Sequence, residues 1–291
     1  RRKEIEHAVL QQKEALAASL EKIEKMNDEL EEKVNFRTRQ LQEVLEHIEA
    51  SRDELSKALS KEKELSDLKS RFVSMASHEF RTPLSTILSS TSLLAKYTES
   101  EEQEKRDKHI ARIKSSVKNL SGILDEFLSI GRIEDGRIVV HPDHFNVREL
   151  IQAVCTEMKV ICKSKQQIQY THEGHEIVYL DPSLLRNIII NLISNAIKFT
   201  SEDGVISIHT EMTDTQLTIE VSDNGIGISQ KDQEHLFERF FRATNVTNIP
   251  GTGLGLHIVS KYVELMDGTV KFESELEKGT TFIITFKQQT V

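Results

Sequence analysis

The chain has 291 residues, with 38 Lys+Arg against 47 Asp+Glu and a formal net charge of −9. That length allows two domains and an accessory segment. The acidic balance argues against the sequence-independent phosphate attraction that DNA-binding proteins use, so no nucleic-acid partner is expected. Charged residues at 29%, aromatics at 5% and no Trp suit long solvated helices beside one ordinary core.

Cys155 and Cys162 are too few for a disulfide framework or a Cys-rich zinc site. On one shared helix their seven-residue spacing would hold them about 10 Å apart, too far to bridge. Two reduced thiols of a cytosolic protein are therefore expected. No apolar run approaches the roughly 18 residues of a membrane span, and there is no signal peptide. The chain starts Arg1-Arg2-Lys3 without an initiator Met, which reads as a fragment whose upstream part has room for a sensor or a membrane anchor.

Residues 1–72 contain neither Gly nor Pro and read as one helical tract. From Leu16 a seam alternating by four and three runs through Leu20, Ile23, Asn27, Leu30, Val34, Arg37, Leu41, Val44, Ile48, Ser51, Leu55, Ala58, Glu62, Leu65 and Lys69 to Phe72. Such a sustained register predicts a coiled coil, the alternative being a single charged helix on a partner. Asn27 at an a position favours a parallel dimer, while Arg37, Ser51, Glu62 and Lys69 weaken the seam. Helix continues to about Tyr97, interrupted only at Pro83, and Thr98–Glu101 reads as a polar turn. A second amphipathic helix carries Ile110, Ile113, Val117, Leu120, Leu124, Phe127 and Leu128 and ends near Gly131. Two such hairpins would form a four-helix bundle.

After Gly136 short extended pieces are expected at Val139-Val140 and Phe145, then a helix over 147–163. Strands are expected around 206–210, 217–221, 270–272 and 282–286, with helices at 182–199 and 255–266. Helices segregated from mostly antiparallel strands make an α+β sandwich. Ser229 to Pro250 is long and polar apart from Phe237, Phe240 and Phe241, which suggests a functional lid.

Four patterns could carry chemistry. The helix ending at Phe199 puts Asn187, Asn191, Asn195 and Lys198 on one face. Asn is a poor helix former, so this stripe points beyond solubility: amide oxygens ligate Mg²⁺ and an ammonium meets phosphate. A strand then runs into Asp223-Asn224-Gly225-Ile226-Gly227. That is a common turn, or else a carboxylate for an amino-bearing base with glycines that admit close backbone approach. Gly251, Gly253 and Gly255 feed a helix N-terminus suited to anions. This loop is neither a dinucleotide fingerprint nor a P-loop, and no zinc-protease HExxH or GxSxG elbow exists. Finally His78, followed by Glu79 and Pro83, lies on a helix flank beside the seam. A neutral imidazole is a competent nucleophile near pH 7, and Glu79 could orient its proton.

In this order these elements resemble the cytoplasmic catalytic core of bacterial two-component sensor histidine kinases, over about residues 65–288. HEFRTPL at 78–84 is similar to the phosphoacceptor H-box and NLISNAIKF at 191–199 to the N-box. DNGIGI at 223–228, LFERFF at 236–241, GTGLGL at 251–256 and GTTF at 279–282 resemble the G1, F, G2 and final glycine boxes. The resemblance implies a dimerisation and phosphotransfer hairpin (65–136) and an α/β sandwich ATP-binding domain (137–291), while the coiled-coil signalling helix (1–64) lies outside the match and is read from the heptads alone. It also implies that Asn195 ligates Mg²⁺, Asn191 and Lys198 assist at the phosphates, and Asp223 recognises the adenine amino group. Phe199 would pack near the base, Arg242 reach the γ-phosphate, the three glycines at 251, 253 and 255 shape the lid, and Thr82 hold a hydrolytic water.

The function expected on this basis is an ATP-dependent, homodimeric protein-histidine kinase. It would phosphorylate His78, pass the group to an Asp of a response-regulator receiver domain, and act as a phosphatase of that regulator. A signalling scaffold with little kinase activity and a gyrase-type ATPase clamp are the alternatives. Intact His78, Asn195 and Asp223 argue against the first. The H-box and the lack of a transducer domain argue against the second.

Overall fold

The computed structural model describes residues 2–97, 102–243 and 251–288. The chain divides into two units, residues 1–70 and 71–291. Helix α1 spans Arg2–Leu94 and contributes to both. In the first unit every described side chain is exposed, and Leu16, Leu20, Ile23, Leu30, Val34, Leu41, Val44, Ile48 and Leu55 are each more than half exposed. One helix cannot bury a seam on itself, so this four–three stripe stays outside within a single chain.

In the second unit α1 pairs with α2 (Gln103–Glu134) as a helical hairpin. Pro83 does not interrupt α1: the helix runs unbroken through it, with the ring buried. Proline forfeits one helical hydrogen bond, and burial of the ring against its neighbours offsets that loss. Phe80 meets Phe127 edge-on at 5.9 Å. At the far end Tyr97 stacks on the buried His109. The expected turn at 98–101 lies outside the described residues. Helix α2 passes Gly131 and closes at Glu134, where the Asp135 amide donates to the Gly131 carbonyl and the Gly136 amide to that of Ile133.

The remainder is a helical layer on a mixed sheet. Its elements are β1 (Asp143–Asn146), α3 (Val147–Lys159), β2 (Gln167–Gly174), β3 (Ile177–Leu180), α4 (Pro182–Phe199), β4 (Val205–Met212), β5 (Gln216–Asp223), the short α5 (Gln230–Gln233), α6 (Gly255–Leu265), β6 (Thr269–Glu275) and β7 (Gly279–Lys287). β1 pairs with β3, and the larger sheet has the order β2-β4-β5-β7-β6. Only β2–β4 is parallel among its pairs; the other ladders are antiparallel. Alternation sets the faces: Ile206, Ile208, Leu217, Ile219, Val221, Ile284 and Phe286 point into the core beneath Ile188, Ile189, Leu192 and Ile193 of α4. A sheet with one wet face needs this pattern.

Several expectations are corrected. α3 stops at Lys159, so Cys162 lies beyond its end and the two thiols share no helix. Both are free, and burial pushes the Cys155 thiol up to about 11. Val139 and Val140 form no strand; the extended piece begins at Asp143. β2 and β3 were unforeseen. β2 is an edge strand with only Ile168 fully buried, so its hydrophobic alternation is faint.

Candidate functional site

α4 is built to hold its polar stripe rigidly. Asp181 caps its N-terminus by accepting from the amides of Ser183 and Leu184 (2.8 and 3.0 Å), with Pro182 in the first turn. A second Asp181 oxygen accepts from the His141 amide at 2.8 Å, tying in the chain that leads from α2. The opposite face of α4 is locked into the core by fully buried isoleucines. Asn191, Asn195, Lys198 and Phe199 consequently line one wall of a cleft of about 1060 Å³, open solvent included. Asn187 is exposed and does not line it; its carbonyl accepts from the Asn191 side chain at 2.9 Å.

The N-terminus of α6 closes the polar end. Leu254 there makes no side-chain cap, so the first amides of α6 keep their donor capacity. Asn191 and Asn195 flank this turn: a Cβ on Gly255 would stand 2.9 Å from Asn191 Oδ1 and 3.9 Å from Asn195 Nδ2. Two amides, helix N–H groups and the Lys198 ammonium together can receive a multiply charged anion.

The apolar end is formed by Phe199, Ile226, Ile228, Leu236 and Phe282 around Asp223. The Asp223 carboxylate accepts from the Gly225 amide at 2.9 Å. Burial raises its pKa, and the amides of Gly225 and Thr280 oppose that rise. The Thr200 hydroxyl, buried and not among the residues lining the cleft, supports the same carboxylate and also opposes the rise. A carboxylate held in an otherwise apolar end of the cleft suits the amino group of a planar ligand such as a purine base.

Gly227, Arg242, Gly251 and Gly253 also line the cleft, whereas Gly225 lies behind Asp223 and does not. At Gly227 the glycine admits protein backbone, not ligand: φ is +64° and a Cβ would meet the Glu275 carbonyl at 2.0 Å. Within the long polar segment, α5 is capped by Ser229, while 244–250 lies outside the described residues. Motif reading missed Thr200, Thr252, Thr280 and Glu126. Of these Thr252 and Thr280 sit inside recognised motifs, GTGLGL and GTTF, Thr200 directly follows the N-box, and Glu126 belongs to α2 with no local signal at all.

His78, Glu79 and Thr82 are on α1 and are not among the residues lining the cleft. The His78 side chain is 75% exposed and that of Glu79 12%, with His78 Nδ1 3.5 Å from Glu79 Oε1. The Thr82 hydroxyl, also exposed, reaches back to the His78 carbonyl at 3.5 Å.

Comparison with known proteins places these two parts. Residues 68–136 match the His Kinase A (phospho-acceptor) domain. Residues 180–290 match the histidine kinase-, DNA gyrase B- and HSP90-like ATPase family. The chain is 35% identical over 273 residues to the sensor histidine kinase GacS of Pseudomonas protegens, covering 90% of this chain and 29% of that protein. It is 32% identical over 225 residues to the autoinducer 2 sensor kinase/phosphatase LuxQ of Vibrio parahaemolyticus, covering 74% and 26%. It thus spans under a third of the length of these curated relatives. Full-length ShkA in complex with AMPPNP superposes with a TM-score of 0.56 at 26% identity, over 76% of this chain and 47% of that one. With a phosphoacceptor hairpin followed by an ATPase domain, each carrying its motifs in order, the chain belongs to the two-component sensor histidine kinases and corresponds to their catalytic core.

Proposed function

We propose that the protein is an ATP-dependent protein-histidine kinase that works as a homodimer, phosphorylates His78 and passes the group to an Asp of a response-regulator receiver domain. The observation that carries this reading is the pairing of an exposed histidine next to a shielded carboxylate with a cleft polar at one end and apolar around Asp223 at the other. Asp223, supported by Thr200, recognises the adenine, Phe199 packs at the base, and Asn191, Asn195, Lys198, Arg242 and the start of α6 take the phosphates. Among the described residues no His/Cys/Asp/Glu cluster could hold a metal; Mg²⁺ fits an amide ligand, so Asn195 would hold it together with the nucleotide's own phosphates. Bound there, the ion neutralises charge on the phosphate oxygens.

Glu79 accepts the proton of His78 Nδ1, which leaves the Nε2 lone pair for the γ-phosphorus. A nitrogen–phosphorus bond forms, the bond to the β-phosphate oxygen breaks, and ADP leaves with that electron pair. The apolar stripe of α1 and the half-exposed Leu84, Leu88, Val117, Leu124 and Leu128 of the hairpin support a second copy as partner. Thr82, one turn from His78, supports dephosphorylation of the regulator as well, and the relative LuxQ is named a kinase/phosphatase.

The test is labelling from Mg-ATP. The product should be acid-labile and alkali-stable, as a phosphoramidate is, and absent in His78→Gln. Asp223→Asn should weaken ATP binding at least tenfold, about 1.4 kcal/mol, and Asn195→Asp should disturb Mg²⁺ use. Labelling of His78→Gln at the parental level would end the assignment.

A further inference from the structure

Glu126 belongs to the hairpin, yet it lines the nucleotide cleft. The Thr252 hydroxyl, from the Gly251–Gly255 loop, donates to its carboxylate. Burial raises the Glu126 pKa most; the Thr252 bond and the Lys198 ammonium oppose that rise, and the Glu79 carboxylate adds to it. A single anion thus faces the cleft's phosphate-side groups on one flank and the neighbour of His78 on the other.

The contact extends along α2. Ile130, four residues on, is 7% exposed and belongs to the same core as α4 and α6. Four further, Glu134 pairs with Arg239. Arg239 Nε donates to His257 Nε2 at 3.2 Å, and His257 Nδ1 donates to the Phe237 carbonyl at 3.0 Å, which fixes a neutral tautomer. Glu126, Ile130 and Glu134 form one stripe at four-residue spacing, distinct from the half-exposed Leu124 and Leu128.

We propose that Glu126 is an intramolecular stand-in for a nucleotide phosphate: with Glu134 it clasps α2 to the ATP-binding domain, and Mg-ATP and this clasp exclude one another. The inference rests on the ATP reading above. A carboxylate and a phosphate are both anionic acceptors that seek the same donors. Inside a partly desolvated cleft two such anions repel strongly, so one displaces the other. Departure of Glu126 also removes negative charge from beside Glu79, where an approaching phosphoryl group would meet it.

The experiment is calorimetric titration of the whole chain in a His78→Gln background, so that binding is not followed by transfer. Binding of Mg-ATP by this parent tests the ATP reading by itself; no binding would end that reading. Glu126→Gln keeps the shape and the acceptor for Thr252 but not the charge. It should bind Mg-ATP about five- to tenfold more tightly, with affinity for adenosine unchanged. Glu134→Gln, outside the cleft, should tighten Mg-ATP about two- to fivefold by loosening the clasp. The proposal is overturned if Glu126→Gln binds Mg-ATP no better than the parent. It is equally overturned if adenosine gains as much as Mg-ATP, or if Glu134→Gln changes nothing.

Discussion

Gly279 packs against the backbone of Asp223: a Cβ on Gly279 would stand 1.9 Å from the Asp223 carbonyl oxygen, and the glycine's φ is +116°. The neighbouring Thr280 pairs with Asp223 across β5 and β7, and its amide supports the carboxylate. Position 279 thereby sets where the base-recognising group stands. Gly279→Ala should force the strands apart at this point and cost about 2–4 kcal/mol, with ATP affinity falling alongside. Urea unfolding and nucleotide titration check this; parental values in both would show that β7 can move without disturbing Asp223.

Thr82 offers its hydroxyl only a long contact to the His78 carbonyl, 3.5 Å, so the group is available to a water at the phosphoacceptor. In Thr82→Ala, dephosphorylation of the regulator should drop about tenfold or more, about 1.4 kcal/mol or more of barrier, while His78 labelling stays within about twofold. Equal loss of both activities would assign Thr82 to general upkeep of the helix.

The exposed seam of α1 should dimerise when the peptide 1–64 is made alone. Arg37→Leu and Ser51→Leu place leucine at weak seam positions and should each raise dimer stability by about 1.5–3 kcal/mol per buried side chain. Asn27→Leu should also stabilise, with loss of the strictly two-stranded state. Sedimentation equilibrium and thermal circular dichroism read both effects. A peptide that stays monomeric at high concentration would make α1 a single helix for another partner.

His257 titrates below its usual range, chiefly through burial, with the Phe237 carbonyl and Glu134 pulling the other way and Arg239 and Lys261 reinforcing the fall. A folded pKa depressed below 6.5 means that the unfolded chain takes the proton first. The contribution of His257 is therefore complete above that pH and is lost as pH falls toward the folded value. Protonation also destroys the acceptor for Arg239 Nε. His257→Gln should flatten the acid limb of the stability profile measured by denaturant midpoints below pH 6.5. An unchanged acid limb would transfer the effect to other groups.

Much of this molecule was legible in its sequence because local pattern and final environment agree. α4 spans the expected 182–199, and β4, β5, β6 and β7 fall where alternation placed them. In each, the apolar period matches one buried face, and burial is what that period encodes. The N-box, G1 and G2 residues were visible as oddities, asparagines within a helix and glycines at its start, because a ligand cleft departs from ordinary propensity. β2 was hidden: its polar edge buries little, and its ladder with β4 joins residues such as Gln167 and Val205 that local periodicity cannot relate. Glu126 was hidden for the same reason at greater depth. Its helix specifies only that a carboxylate sits off the bundle seam; that it meets Thr252 across 126 residues is decided by how Ile130 docks into the core. Periodicity carries the face a residue turns, whereas the group it turns toward depends on long-range packing, which local pattern does not encode.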